Sequence, residues 1–487
     1  MRTAFVTAVL SLLLVVGARA QVSEPDPRTD DAFDFMNVLA AHKLHQLHDE
    51  RWNAYGQVTY ISSLKLPFDA SYTNLNGTPN SLSPGLEHSF TATATLYMSL
   101  RLWHGGEAFF SPEVISMHPL SNLKGLGSSI QNFELQKNGS MVPTPYVPRL
   151  YVRHTFGLGG RQIEQDSNPL QLGRRLDSRR LTVTLGKLSV LDMFDKNAFA
   201  GDLRRQFFNM AFMTYGAFDF AADARGYAYA AVLEYNHDDW AVRFGHVTPP
   251  KRPNQKPLDL RFYKYYGDQL EVEHAHELWR EHGVVRLLAY RNRENMGSFA
   301  HAVAALQHSP MKNAAACPIT SEPSSDYEST NATAPDLCWA RKPSVKWGIG
   351  INVEQSLGYG VGFFARGMFS DGRTEVFSYT STDRSLSLGL LAQGATWKRP
   401  RDVAGFGHAE GWISRAHARY LSLGGLDGFI GDGALSRGSE RVTEVFYSVS
   451  ILSSLWASVD YQHIATPAYN RARGPVDIFG VRAHAEF

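Results

Sequence analysis

The segment 89–103, SFTATATLYMSLRLW, alternates without interruption. Phe90, Ala92, Ala94, Leu96, Met98, Leu100 and Leu102 share one face, while Ser89, Thr91, Thr93, Thr95, Tyr97, Ser99 and Arg101 share the other. A period of two sends successive side chains to opposite sides of a β-strand, not around a helix. Globular strands average ~5 to 6 residues, whereas a strand tilted across a bilayer needs ~9 to 11. The segment therefore predicts a membrane-crossing strand, apolar towards lipid and polar towards water.

The same pattern recurs along most of the chain. Val345 to Gln355 sets Trp347, Ile349, Ile351 and Val353 against Lys346, Gly348, Gly350, Asn352 and Glu354. Phe479, Val481, Ala483, Ala485 and Phe487 alternate with Gly480, Arg482, His484 and Glu486. Sixteen strands are predicted, near 56–65, 88–102, 106–115, 148–157, 180–190, 226–236, 239–247, 268–278, 284–293, 345–355, 360–370, 384–394, 402–413, 441–451, 455–465 and 476–487. Short and long links alternate between them, which is the rhythm of periplasmic turns and external loops in an outer-membrane barrel. One link, 158–179, is long where a short turn is expected. The fold expected is all-β, a transmembrane antiparallel β-barrel of about sixteen strands over residues 54–487. Trp103, Trp240, Tyr227, Tyr235, Phe479 and Phe487 lie near strand ends and suit interfacial girdles.

The chain has 487 residues, 44% hydrophobic, with 41 glycines and 12% aromatic residues. Lysine and arginine number 48 against 47 acids. That balance carries no nucleic-acid footprint. Arg2, the apolar run Ala4 to Val16 and Ala18-Arg19-Ala20 read as a secretory signal cut after Ala20. Residues 21–53 read as a periplasmic extension. Within it, His42, His45 and His48 recur every third residue, a spacing that drifts around a helix and makes a poor metal site. Cys317 and Cys338 fall in a Pro/Ser/Thr-rich stretch of the 294–344 link, and in an oxidising compartment they read as a disulfide on an external loop. No cofactor is expected.

Several ordered blocks resemble the OprB-type carbohydrate-selective porins: LWHGGEAFFSPEV (102–114), RLYVRHTFGLGG (149–160), LSVLDMFDKNAFAGDLRRQFFN (188–209), FAADARGYAYAAVLEY (220–235), LEVEHAHELW (270–279) and GPVDIFGVRAHAEF (474–487). The resemblance implies a sixteen-stranded outer-membrane barrel that passes sugars by facilitated diffusion, with charged side chains and an inward loop at its constriction. The terminal Phe487 resembles the signal read by the barrel-assembly machinery.

Parity assigns the lumen. Arg101, Arg149, Tyr151, Arg153, Glu234, Arg243, Glu271, Glu273, Glu354, Arg366, Glu444, Trp456, Asp460, Gln462 and Arg482 should project inward, with arginines and acids in equal number. Mixed charge leaves little mean field and many donors and acceptors, which suits neutral polyols better than ions. Tyr151, Phe364 and Trp456 are candidates to stack on a sugar ring. The link 191–225 is the candidate constriction. It carries Asp192, Asp195, Asn197, Asp202, Arg204, Arg205, Asn209, Asp219, Asp223 and Arg225, and its Phe207, Phe208, Met210, Phe212 and Phe218 would be wasted on a solvated loop. In the segment 284–293, Arg286 and Tyr290 compete with Arg291 and Arg293 for the inward face. An enzyme is disfavoured because no G-x-S-x-G elbow occurs. The alternatives kept are a polysaccharide-export barrel, which should have a strongly basic lumen, and a non-selective general porin.

Overall fold

In the computed structural model the described residues are 35–137, 139–308, 331, 333–337, 340–377 and 380–487. The signal segment and both cysteines, Cys317 and Cys338, lie outside them. The strands are β1 (Trp52–Lys65), β2 (Glu87–Trp103), β3 (Gly106–His118), β4 (Thr144–Gly157), β5 (Gln162–Gln165), β6 (Arg174–Asp177), β7 (Arg179–Leu188), β8 (Ala228–His237), β9 (Trp240–Val247), β10 (Tyr266–Leu278), β11 (Glu281–Gly297), β12 (Arg341–Ser356), β13 (Val361–Ser370), β14 (Arg384–Gln393), β15 (Val403–Trp412), β16 (Glu440–Leu452), β17 (Leu455–Ala465) and β18 (Val476–Glu486). All but β5 and β6 form one closed antiparallel barrel, in which each strand pairs with its neighbours and β1 closes on β18 from Gln57↔Glu486 to Lys65↔Ile478.

All sixteen strands read from the sequence are present, with ends shifted by at most four residues. The long 158–179 link is a true insertion. Its residues form the β5–β6 hairpin at the short-turn end, so the neighbouring strands were correctly placed. The insertion and the N-terminal segment hold each other. Asn53 Nδ2 donates to Ser167 Oγ at 3.0 Å and to the Gln171 carbonyl at 2.8 Å, while Glu50 accepts from the Gly173 amide at 2.6 Å. The short helix α1 (Phe35–Ala41) adds Met36, which packs with Tyr55 and Tyr97. His45 and His48 turn to different carboxylates, Glu50 and Glu164.

Alternation settles which face each residue takes. Trp103, Trp240, Tyr235, Phe479 and Phe487 are exposed on the outside. Tyr227 is a correction: it is buried, because β8 begins one residue later and Tyr227 ends the preceding loop. In β11 the inward set is Arg286, Leu288, Tyr290 and Asn292, which leaves Arg291 and Arg293 outside.

At the long-loop end, α2 (Met210–Met213), α3 (Phe299–His308) and α4 (Arg415–Ser422) join the strands to a loop layer. Its pivot is His417, fully buried on α4, with Nδ1 3.1 Å from Asp383 Oδ2 and Nε2 3.2 Å from Asp427 Oδ2. Phe299 of α3 stacks on the imidazole at 4.3 Å. Burial opposes the charge, yet the two carboxylates outweigh it and hold the imidazolium pKa up to about 9. A second brace is Glu440, fully buried, whose carboxylate accepts the amides of Gly127, Ser128, Ser129 and Ala468 at 2.7 to 2.9 Å.

Two outcomes follow from these braces. Because the His417 pKa is raised on folding, its contribution is complete below the unfolded value and fades as pH rises through about 9. Protection of the loop layer from proteolysis should therefore fall between neutral pH and pH 10, and His417→Gln should flatten that dependence. Glu440→Ala strands four amides without an acceptor and should lower stability by about 3 kcal/mol or more. The readouts are a lower temperature for loss of the folded band on a denaturing gel, and new trypsin cleavage at Lys124.

Candidate functional site

The 189–227 segment leaves the top of β7 and crosses the barrel interior. Ser189 and Asp192 form a capping box that starts it with one turn of 3₁₀-helix. Asp192 then receives Arg149 bidentately at 2.6 and 2.7 Å. Asp195 is the main anchor. Its Oδ1 accepts Arg366 Nε at 3.0 Å and Asn352 Nδ2 at 2.5 Å, its Oδ2 accepts Thr214 Oγ1 at 2.7 Å, and its own amide donates to Glu271 at 2.8 Å. Further along, Ala198 donates its amide to Glu354 at 2.6 Å, and the Phe208 and Asn209 amides donate to Glu444 at 2.6 and 3.0 Å. Arg482 reaches the carbonyls of Leu203 and Gln206 at 2.5 and 2.9 Å.

The loop's aromatic side seats on inward glycines. A Cβ at Gly407 would stand 2.7 Å from the Phe212 ring and 3.0 Å from Phe207, and one at Gly245 would stand 2.9 Å from Phe194. Only glycine leaves that room. Phe207, Phe212, Phe364 and Phe446 then make one buried aromatic cluster with centroid distances of 4.9 to 6.2 Å.

A second of the long links also folds inward, where its length alone predicts an external loop. In the β3–β4 connection, Leu120, Leu126, Ile130, Phe133 and Leu135 are buried, and Asn132 donates to Thr91 of β2. Lys137 at its end sits 3.1 Å from Glu113 and 3.4 Å from Glu134, and Arg204 of the first loop joins the same two acids at 3.2 and 3.3 Å. Burial disfavours the Lys137 charge, but Glu113 holds its ammonium above the usual lysine range. The apolar residues of this link carried the same signal that singled out 191–225.

Between the two loops and the wall lies a cavity of about 730 Å³. Eight of the expected residues line it: Arg149, Asp192, Asp195, Asn197, Asp202, Arg204, Arg225 and Glu354. Lys137, Lys196, Tyr227 and Arg286 add to its charged and aromatic border. Its ionisable lining, counting Asp202, is six cations and four acids. Beside it, the wall carries a ladder of alternating sign across β8 to β12. Arg243 binds Glu234, meets Glu271 and Glu273 at 2.9 Å each, and Arg286 links Glu273 at 2.7 Å to Glu354 at 3.3 Å. Arg101 pairs with Asp49 at 2.6 Å near the short-turn end, and Arg153 lies 4.7 Å over the Phe109 ring.

Nine of the expected lining residues need correction. Tyr151, Arg243, Glu271, Arg366, Glu444, Trp456, Asp460, Gln462 and Arg482 turn inward, yet each is at most 6% exposed and none borders the cavity. The loops cover them, so they grip protein and not lumen contents. Tyr151 stacks on Phe109 at 4.7 Å, Trp456 lies 4.4 Å under Arg205, and Phe364 is enclosed by the loop phenylalanines. None offers a free face to a sugar. Gln462, also covered, accepts Asn209 Nδ2 at 2.8 Å.

Comparison with known proteins agrees with this architecture. The high-pH structure of Pseudomonas putida OprB superposes with a TM-score of 0.64 at 16% identity, covering 90% of this chain and 94% of that one. The outer membrane channel DcaP of Acinetobacter baumannii gives 0.47 at 7% identity, over 90% of this chain and 97% of that one. No curated protein matches the sequence. The profile of the carbohydrate-selective porin, OprB family, matches residues 80–487, and with a closed sixteen-stranded barrel narrowed by inward loops the chain belongs to that family.

Proposed function

We propose that this porin carries small neutral sugars inward by passive diffusion, and that the cavity between its two inward loops is the selective passage. The observation that supports this most directly is the lining itself. Cations and acids interleave around a space of about 730 Å³, within the range that encloses a small polar molecule. Hydroxyl groups both donate and accept, so guanidinium and carboxylate groups can replace the water a sugar sheds. Weak contact at several points lets the solute leave again. Charge balance argues against a polysaccharide exporter for anionic polymers, since acids accompany the cations throughout the lining and the ladder. No covalent chemistry or energy coupling is required.

The finer features of export fit the same reading. The signal would be removed after Ala20, and the chain would reach the assembly machinery through its last strand. Phe487 ends that strand on the outer surface and pairs through its backbone with Gly56 of β1. In an oxidising compartment, Cys317 and Cys338 would close the external loop.

Liposome swelling tests the selectivity. Arabinose and glucose should enter faster than amino acids or salts of similar size, and equal rates would identify a general porin instead. Asp195→Ala tests the passage. Removing the carboxylate leaves Arg366 buried and unpaired, at a penalty of about 3 to 5 kcal/mol. Single-channel conductance should rise and sugar discrimination fall, because the loop loses its hold on β12 and β13.

A further inference from the structure

The outer surface carries a cluster of charges on one stretch of the wall that the passage does not use. Parity turns Arg291 and Arg293 of β11 away from the lumen, and their position near the long-loop end puts them at the level of the outer headgroups. In register, Arg291 stands between Asp268 and Trp347, and Arg293 between Tyr266 and Val345. Asp268 is already engaged by His246 at 2.7 Å. Three outward histidines near this end are matched, His463 with Asp477 at 2.7 Å, His408 with Thr443 at 2.9 Å and His88 with Ser62 at 2.8 Å, and the outward Arg384 lies 5.0 Å over the Phe369 ring. Among the described residues Arg291 and Arg293 have no hydrogen-bond or ion-pair partner. Unpaired cations facing lipid are costly unless an anion meets them there.

The adjoining loop, 248–265, points the same way independently. It holds five lysines and arginines and one acid, Asp259. Arg261 uses that acid at 2.5 and 2.9 Å, so Lys264 is left with its charge free of a carboxylate. Leu260, Phe262 and Tyr263 are 63%, 59% and 74% exposed. The loop does not stand up into water: the Phe262 carbonyl lies 3.1 Å from Nε2 of His246, an outward residue of β9, so the loop leans on the outer surface of the barrel. Exposed aromatic and aliphatic side chains beside cations, at this depth, match the boundary between acyl chains and headgroups. A second copy of the chain meeting the same patch across a twofold axis would set arginine against arginine.

We propose that Lys264, Arg291 and Arg293, with Phe262 and Tyr263, form a docking site for a phosphorylated lipid headgroup of the outer leaflet. The guanidinium forks receive the phosphate and the aromatic side chains lie along the top of the acyl region. The site stands apart from the passage, so it is independent of which solute the barrel carries.

Native mass spectrometry of the full-length protein in detergent tests it, using bisphosphorylated lipid A, the same lipid with both phosphates removed, and phosphatidylethanolamine. The expected result is preferential retention of the bisphosphorylated lipid, reduced about tenfold or more by the pair Arg291→Glu and Arg293→Glu. Single-channel conductance of the pair should match the parent, which shows that the barrel has folded. Phe262→Ala should weaken all three lipids alike. Equal retention of the phosphorylated and dephosphorylated lipids, or retention unchanged in the pair, overturns the proposal. A change of oligomeric state in the pair with lipid retention unaltered also overturns it and assigns the patch to contact between copies.

Discussion

Hydrocarbon offers no partner for a peptide amide or carbonyl, and everything else in this molecule is arranged around that fact. The sixteen wall strands satisfy it by pairing in sequence and closing β1 on β18. Closure in turn commits every second side chain to the interior. A barrel of this size cannot fill its inside from the wall alone, so the interior is either water or additional chain. Here it is both. Two connections, after β3 and after β7, fold back into the lumen and leave a polar gap between them.

Inward polar residues therefore serve two physically different ends. Where a loop covers them, they hold it: Arg366 and Asn352 on Asp195, Glu444 on the Phe208 and Asn209 amides, Arg482 on two carbonyls. Such groups are isolated from water, and removing one partner leaves the other stranded, which makes the loop position specific. Where no loop group reaches them, the same residue types hold one another across strands, as in the buried Arg243 and Arg286 ladder. Glycine completes the arrangement. Its abundance in the chain has a use at Gly407 and Gly245, where an inward side chain would occupy the space of a loop phenylalanine.

The wall was legible because alternation is local. Each strand reports its own two faces, and the sum of them reports the barrel. The 191–225 connection was legible as well, because phenylalanines on a supposed external loop lack a reason to be there. Lys137 and Glu134 were missed for want of the same test on the β3–β4 connection, whose Ile130, Phe133 and Leu135 were equally out of place in solvent. Tyr227 was misassigned through a boundary error of two residues, enough to convert a loop residue into a strand end.

By itself the sequence determined the all-β class, the number and faces of the strands, the end at which long loops lie, and the family, since all of these follow from period, spacing and ordered blocks. It could not separate an inward residue that touches lumen water from one that grips a loop. Arg149 and Arg366 have the same parity and the same chemistry, yet Arg149 lines the cavity and Arg366 lies sealed beneath Asp195. That distinction depends on where a distant connection comes to rest. Contacts such as Asp195 on β12 and β13, or Arg204 on Glu113, join residues far apart in the chain, and no local pattern records them.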